Sequence, residues 1–191
     1  TAVKTFRDYI SEVKEVITQI EARNLCDRKV VSSTSEFRTL HLYVTNKCNL
    51  ACPHCYMFSG KKDDNELLTE EIIKLFKDYR SSGGENVTLS GGEPTTRPDF
   101  KTLVKSAFSL GLKVRILTNG ALLTKEMVTE ISPYLDSVQV SLDGFSEETN
   151  SSIRGRGHFN KALETVDELV HQGVNTSVAI TPPYDLLENY Y

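Results

Sequence analysis

The feature that most constrains the fold of this 191-residue chain is an alternation of short β-branched runs with amphipathic helical segments, which starts near residue 40. Strands alternating with helices build βαβ units and a parallel sheet. The sequence therefore predicts an α/β fold. Five strands are predicted, at residues 40–45, 86–90, 113–118, 137–142 and 174–181.

Helices are predicted between the strands from apolar residues at helical spacing and from residues that start or stop a helix. Thr69 is expected to cap the first helix, and the second is expected to begin at Pro98. A short third helix is expected at 124–131, and a last helix is expected to end near Gly173.

The region before the first strand has a different pattern. Apolar residues recur at helical spacing over residues 5–22, which predicts an amphipathic helix followed by a polar connector. We therefore expect two parts, an N-terminal helix and connector over residues 1–36 and a core over residues 37–191. Cys26, in the connector, is interpreted as a free thiol, with the role of a fourth metal ligand as the alternative.

Composition excludes several functional classes. The net charge is −4 and no block of basic residues occurs, so the chain lacks the charge pattern of a nucleic-acid-binding protein. No apolar run approaches the roughly 18 residues of a membrane span. The first residues show no signal-peptide pattern. We therefore expect a cytoplasmic protein with neither nucleic acid nor membrane as its partner.

Three cysteines follow the first predicted strand with the spacing C-x₃-C-x₂-C, at Cys48, Cys52 and Cys55. Thiolates are the usual ligands of iron–sulfur clusters, and a complete [4Fe–4S] ligand set normally has four of them. Three thiols would leave one iron open to an external ligand. The alternative is a structural zinc site, which needs a fourth ligand such as Cys26, His41 or His54.

Polar motifs follow the other predicted strands as well. Gly91-Gly92-Glu93-Pro94 follows the second strand, Asn119 follows the third, and Ser141 and Asp143 lie at the end of the fourth. Ligands of parallel α/β folds bind at the carboxyl ends of the strands. We therefore expect these segments and the cysteine run to meet at one rim and form a single site.

The cysteine run, the Gly-Gly-Glu-Pro motif and the Ser-Leu-Asp-Gly and Arg-Gly-Arg-Gly-His-Phe segments resemble those of radical S-adenosylmethionine (radical SAM) enzymes. The resemblance covers about residues 38–181. It implies a partial (β/α)₆ TIM-like barrel, here apparently truncated after the fifth strand. It also implies a [4Fe–4S] cluster on the three cysteines, with S-adenosylmethionine on the open iron.

The resemblance further implies which residues contact S-adenosylmethionine. The glycine-containing segment would bind the amino group of the cofactor, and a side chain at Gly92 would intrude on that contact. A planar residue before the last cysteine would lie near the adenine, and Arg154 could pair with the carboxylate. The expected contacts are His54, Gly91, Gly92, Glu93, Asn119, Ser141, Asp143 and Arg154. Turn or loop roles remain open for Asn119, Ser141, Asp143 and Arg154.

The implied activity is reductive cleavage of S-adenosylmethionine to a 5′-deoxyadenosyl radical that abstracts a substrate hydrogen. The Ser-Leu-Asp-Gly and Arg-Gly-Arg-Gly-His-Phe segments are most similar to the SPASM-type subgroup of peptide and protein maturases. The partners of such an enzyme would be a flavodoxin- or ferredoxin-type electron donor and a peptide or protein substrate. The alternatives are a cluster- and cofactor-binding fragment without turnover and a zinc-stabilised binding module.

Overall fold

The structure, a computed structural model, describes residues 39–63 and 65–181 of the chain. The predicted helix over residues 5–22, its connector and Cys26 lie outside the described residues. The division of the chain near residue 36 therefore stays a prediction.

Five strands form one parallel sheet, in which each strand pairs with its neighbours in chain order. Apart from differences of one or two residues at their ends, the strands are those predicted. Sequential pairing of parallel strands is the arrangement of a (β/α) barrel wall, so the predicted α/β class is confirmed. The strands are β1 (Thr39–Thr45), β2 (Asn86–Gly91), β3 (Lys113–Thr118), β4 (Ser137–Ser141) and β5 (Asn175–Ala179).

Five α-helices connect the strands within the described residues: α1 (Thr69–Ser81), α2 (Phe100–Ser109), α3 (Lys125–Ile131), α4 (Glu147–Arg154) and α5 (His158–His171). Helix α4 was not predicted. The capping prediction for Thr69 was wrong, because Leu68 is the cap and the Thr69 hydroxyl donates to Asp99 instead, at 2.6 Å. Pro98 likewise precedes α2 by two residues, and Thr124 caps α3 as predicted.

The core lies between the sheet and its helices. The predicted inner face of α2 is fully buried against it, with Phe100, Leu103, Val104 and Ala107 at most 1% exposed. On α5, Leu169 is buried whereas Val170 is 61% exposed, so the predicted apolar stripe of that helix is narrower than expected. Parallel pairing brings the carboxyl ends of β1 to β4 to one edge, and the polar motifs follow those ends.

Among the described residues, no helix is both long enough and apolar enough to cross a lipid bilayer.

Candidate functional site

The three cysteines lie on a loop whose two ends are joined by backbone hydrogen bonds. Cys48 N–H donates to the Gly60 carbonyl and Gly60 N–H donates to the Asn46 carbonyl, each at 3.0 Å. Within the loop, Cys55 N–H donates to the Cys52 carbonyl at 3.1 Å. All three cysteines are free and partly buried. The two ends of the loop are therefore held together at its base, and the three thiols lie on the loop between them.

Glu66 fixes the start of this loop. Its Oε1 accepts hydrogen bonds from the Thr45 hydroxyl at 2.7 Å, from Asn46 N–H at 2.8 Å and from Asp63 N–H at 3.2 Å. These donors outweigh the effect of burial and lower the pKa of Glu66. The sequence analysis did not identify Glu66, because its partners at the end of β1 are about twenty residues away along the chain.

The thiols differ in their electrostatic surroundings. Burial raises the pKa of Cys48 and that of Cys52. At Cys55 burial also acts to raise the pKa, but hydrogen bonds from the backbone at Ser59 and Met57 outweigh it, and the pKa of Cys55 is lowered. Metal ligation by cysteine requires the thiolate, so a bound cation would displace protons from Cys48 and Cys52.

The cysteine loop and the ends of β2, β3 and β4 surround one cavity of about 310 Å³. Nine of the eleven residues predicted for the site line this cavity: Cys48, Cys52, Cys55, His54, Gly91, Gly92, Asn119, Ser141 and Arg154. The expected convergence on one rim is therefore observed. The remaining two, Glu93 and Asp143, have no solvent exposure and lie behind the cavity wall.

The glycine pair is required by a close approach of backbone to backbone. Gly92 N–H donates to the Thr45 carbonyl and Glu93 N–H donates to the Lys47 carbonyl, both at 2.8 Å. A Cβ on Gly92 would overlap the carbonyl of Lys47 and lie 2.7 Å from that of Asn46. A side chain at Gly92 would therefore strike the base of the cysteine loop, a clash that was not predicted, and its expected intrusion on the cofactor contact stays a prediction.

The Glu93 carboxylate joins the ends of β2 and β3. Its Oε1 accepts from the Thr95 hydroxyl at 2.6 Å, from Thr95 N–H at 3.2 Å and from the Thr118 hydroxyl at 2.7 Å. Its Oε2 accepts from Asn119 N–H at 2.7 Å. Burial raises the pKa of Glu93, and these four donors oppose the rise. With both oxygens engaged, the side chain acts as a structural link.

Asn119 connects Glu93 to the cysteine loop. Its Nδ2 donates to Asn49 Oδ1 at 2.9 Å and lies 3.9 Å from Cys48 Sγ, and its Oδ1 accepts from Ala121 N–H at 2.9 Å. The predicted turn role of Asn119 is thus observed, and its side chain also lines the cavity, while its contact with a ligand stays a prediction.

Asp143 pairs with two side chains of the cavity wall. Its Oδ2 lies 2.6 Å from Arg154 Nε and 3.2 Å from His54 Nε2, and its Oδ1 accepts from Thr181 N–H at 2.9 Å. The contact with Arg154 is an ion pair without hydrogen-bond alignment, because neither Oδ2 nor Nε has a hydrogen-bond partner among the described residues. Asp143 thus holds the Arg154 side chain, which is 12% exposed, at the cavity.

Asn150 and His158 lie behind Asp143, and the sequence analysis identified neither. Asn150 Oδ1 accepts from Asp143 N–H at 3.0 Å, and its Nδ2 lies 3.0 Å from His158 Nδ1. His158 Nε2 lies 2.8 Å from the Asn119 carbonyl. Both side chains are buried. The only signal for His158 was its position in the Arg-Gly-Arg-Gly-His-Phe segment, and Asn150 lies between the two motif segments without a signal of its own.

The donor set fits an iron–sulfur cluster better than a single metal ion. Within residues 39–63 and 65–181, no group of three or more His, Cys, Asp or Glu side chains is close enough to hold one ion. The cysteines of a cluster each bind a different iron and therefore stand farther apart than the ligands of one ion. Three free thiols around one cavity match that requirement.

Comparison with known proteins assigns this arrangement to a family. The profile of the radical SAM superfamily matches residues 42–188. The mycofactocin maturase MftC of Mycobacterium tuberculosis is 41% identical over 143 residues, which cover 72% of this chain and 36% of that protein. The Fe-coproporphyrin III synthase of Methanosarcina barkeri is 39% identical over 143 residues, which cover 72% of this chain and 35% of that protein.

A solved structure has the same fold. Streptococcus suis SuiB bound to S-adenosylmethionine superposes with a TM-score of 0.70 at 18% identity, covering 100% of this chain and 44% of SuiB. The matched part of the chain spans about a third of the length of each of these two curated relatives.

Proposed function

The chain belongs to the radical SAM superfamily, whose members use a [4Fe–4S] cluster and S-adenosylmethionine, and from that premise we propose that its own cavity holds both. Cys48, Cys52 and Cys55 are the proposed cluster ligands. The observation that carries the proposal is the gathering of three free thiols, a glycine pair and an arginine around one cavity.

When bound, the cluster supplies one electron for cleavage of S-adenosylmethionine to methionine and a 5′-deoxyadenosyl radical, which takes a hydrogen atom from the substrate. The chain's own residues hold and orient the reactants. The electron enters from a flavodoxin- or ferredoxin-type donor. Cys48, Cys52 and Cys55 would hold three irons of the cluster, and the fourth would be open to S-adenosylmethionine.

Arg154 is the proposed partner of the cofactor's carboxylate. Its Nε is paired with Asp143, and its terminal nitrogens have no hydrogen bond to any other described residue. A guanidinium held on one side in this way can present its other N–H groups to a carboxylate in a bidentate manner. Asp143 therefore acts through Arg154, and its own carboxylate does not touch the cofactor.

The remaining contacts are proposed from the family resemblance, and the presence of these residues in the cavity lining supports them. The backbone of Gly91 and Gly92 is proposed to bind the amino group, and Ser141 the ribose. His54, before the last cysteine, is proposed to lie beside the adenine. Since the Glu93 side chain is fully buried, its part in binding is to hold the ends of β2 and β3.

The substrate is proposed to be a peptide or protein. The support is the 41% identity to a maturase and the resemblance of the segments that contain Asp143 and Arg154 to those of peptide-modifying enzymes. A relative at 39% identity is named as a porphyrin synthase, so the experiment must separate the two substrate classes.

The cluster is tested by anaerobic reconstitution with iron and sulfide. About four irons and four sulfides per chain are expected, and a C48A/C52A/C55A variant should retain none. Cys26→Ala is the matched control and should keep the full content. Stoichiometric zinc without sulfide would favour the zinc-stabilised module instead.

The reaction is tested with the reconstituted chain, a chemical reductant and S-adenosylmethionine. Formation of 5′-deoxyadenosine is expected, with a higher yield on adding peptides from short coding sequences beside its gene. Stimulation by a porphyrin precursor of Fe-coproporphyrin III, and by none of the peptides, would contradict the peptide proposal. A bound cluster without any cleavage would support the fragment without turnover.

A further inference from the structure

We propose that Asn150 and His158 are positioning residues that hold the rim of the cofactor site in its binding geometry only while His158 is neutral. The inference rests on the proposed function, since the rim is the proposed S-adenosylmethionine site. It concerns two buried side chains that line no part of the cavity but hydrogen-bond to residues on two of its sides.

The direction of each hydrogen bond follows from the groups that meet. The Asn119 carbonyl can only accept, so His158 Nε2, 2.8 Å away, carries a proton and donates it. Asp143 N–H can only donate, so the oxygen of Asn150 must face it, at 3.0 Å. The amide nitrogen of Asn150 then faces His158 Nδ1 and donates to it at 3.0 Å. His158 Nδ1 therefore carries no proton.

The two bonds connect the segments that follow the neighbouring strands β3 and β4 at the cavity rim. Asn119, whose carbonyl accepts from His158, contacts the cysteine loop through its side chain. Asp143, whose N–H is held by Asn150, pairs with Arg154 and His54 through its carboxylate. A change at His158 is therefore transmitted to the end of β3 and to the segment after β4.

A second proton on His158 breaks the arrangement. An Nδ1–H would meet the amide N–H₂ of Asn150, and rotating that amide would place its N–H₂ against Asp143 N–H. No orientation of Asn150 satisfies both neighbours of a doubly protonated imidazole. Buried donors left without acceptors are costly, so the rim must shift or the proton must leave.

The charged groups around His158 do not remove the preference for a neutral imidazole. Arg154 on α4 opposes a second proton, whereas Asp143 after β4 and Glu147 on α4 favour it. Burial has the largest effect, and the pKa of His158 lies below its ordinary value of 6.5. A histidine with a lowered folded-state pKa contributes stability that is complete above pH 6.5 and is lost as the pH falls through its folded pKa.

Three substitutions separate positioning from packing. His158→Gln keeps one donor for the Asn119 carbonyl and one acceptor for Asn150, but it cannot titrate. His158→Leu fills similar space without either bond. Asn150→Asp accepts from Asp143 N–H and from Nδ1–H, so it requires the doubly protonated imidazole that the wild type excludes.

Binding of S-adenosylmethionine to the reconstituted chain is measured between pH 5 and 8. We expect His158→Leu to bind about tenfold more weakly at every pH, as substitutions behind a site commonly do. His158→Gln should stay close to the wild type at pH 8 and bind more tightly than it at pH 5. Asn150→Asp should show the opposite trend, with relatively better binding at pH 5.

His54 also faces Asp143, so the difference between the wild-type and His158→Gln profiles isolates the effect of His158. Parallel profiles for the two proteins, or His158→Leu binding like the wild type, would overturn the inference.

A second measurement needs no cofactor. Long-range ¹⁵N NMR of the imidazole should show a proton on Nε2 alone at pH 7 in the wild type and on both nitrogens in Asn150→Asp. A proton on Nδ1 in the wild type would overturn the inference. If S-adenosylmethionine does not bind the wild type at all, the proposed function fails, and the NMR result still decides the hydrogen-bond arrangement.

Discussion

Two carboxylates, Glu93 and Asp143, lie behind the same cavity with no solvent exposure, yet their surroundings are opposite. Glu93 accepts four hydrogen bonds from neutral donors and forms no ion pair with any residue in the described part of the chain. Asp143 is paired with a guanidinium and an imidazole, and its Oδ2 has no aligned hydrogen bond among the described residues. Equal burial therefore does not mean an equal role.

The difference reflects what each carboxylate holds. The donors to Glu93 are Thr95, Thr118 and Asn119, which belong to the frame at the ends of β2 and β3. The partners of Asp143 are two side chains that reach the cavity. Glu93 stabilises the fold of the rim, whereas Asp143 orients groups that would meet a ligand. The comparison predicts that substitutions of the first change stability and those of the second change binding.

The largest effect is expected from Glu93→Ala, which leaves at least three buried donors without an acceptor. The free energy of unfolding should fall by about 3 kcal/mol or more. Chemical denaturation of the cluster-free chain measures it. Glu93→Gln is the matched control and should lose less, because an amide oxygen at the position of Oε1 can still accept from the three donors there. A stability loss no greater than that of Asp143→Asn would break the comparison.

A smaller effect on stability is expected from Gly92→Ala, whose Cβ would overlap the backbone at Lys47. We expect a loss of about 1–3 kcal/mol, as for other overpacked sites, together with reduced iron content after reconstitution. Gly60→Ala is the matched control in the same loop, because a Cβ there meets no atom within 4 Å. Equal iron content in the two variants would contradict the steric explanation.

The smallest effect on stability, with the clearest effect on binding, is expected from Asp143→Asn. Removing the charge beside Arg154 frees the guanidinium to move, so affinity for S-adenosylmethionine should fall about tenfold. Isothermal titration of the reconstituted chain measures this affinity. The midpoint of chemical unfolding is compared in parallel and should change less than it does in Glu93→Ala. Unchanged affinity would show that Arg154 is positioned without Asp143.

The fold was largely predictable because its signals are local. The bounds of β3 were predicted without error, since β-branched residues and flanking turns mark them. Helix α4 was missed because Ile153 and Asn150 are its only buried residues and no apolar stripe forms. Its capping residues, Ser146 with Thr149, were the available signal.

The site was predictable in its membership but not in the roles of its residues. The cysteines were assigned to the site because their motif follows the end of β1, and Arg154 because it lies in the Arg-Gly-Arg-Gly-His-Phe segment. The direction in which a side chain points depends on partners far along the chain, as for Glu93 with Thr118 or His158 with Asn119. These contacts cannot be predicted from the spacing of residues in the sequence. For the same reason, a side chain at Gly92 was predicted to meet a ligand, whereas the structure places the backbone of Asn46 and Lys47, just after β1, at that position.

The hydrogen-bonded base of the cysteine loop affects the entropy of metal capture. Cys48 and Gly60 are held together by the fold, so residues 48–59 form a closed loop before any metal arrives. The entropy cost of bringing distant ligands together grows with the length of free chain between them. In this chain, folding has already brought the two ends of the loop together, so part of this entropy is lost before any metal binds. A first iron held by one thiolate would find the other two at a high effective concentration, which favours stepwise assembly of the cluster on the folded chain.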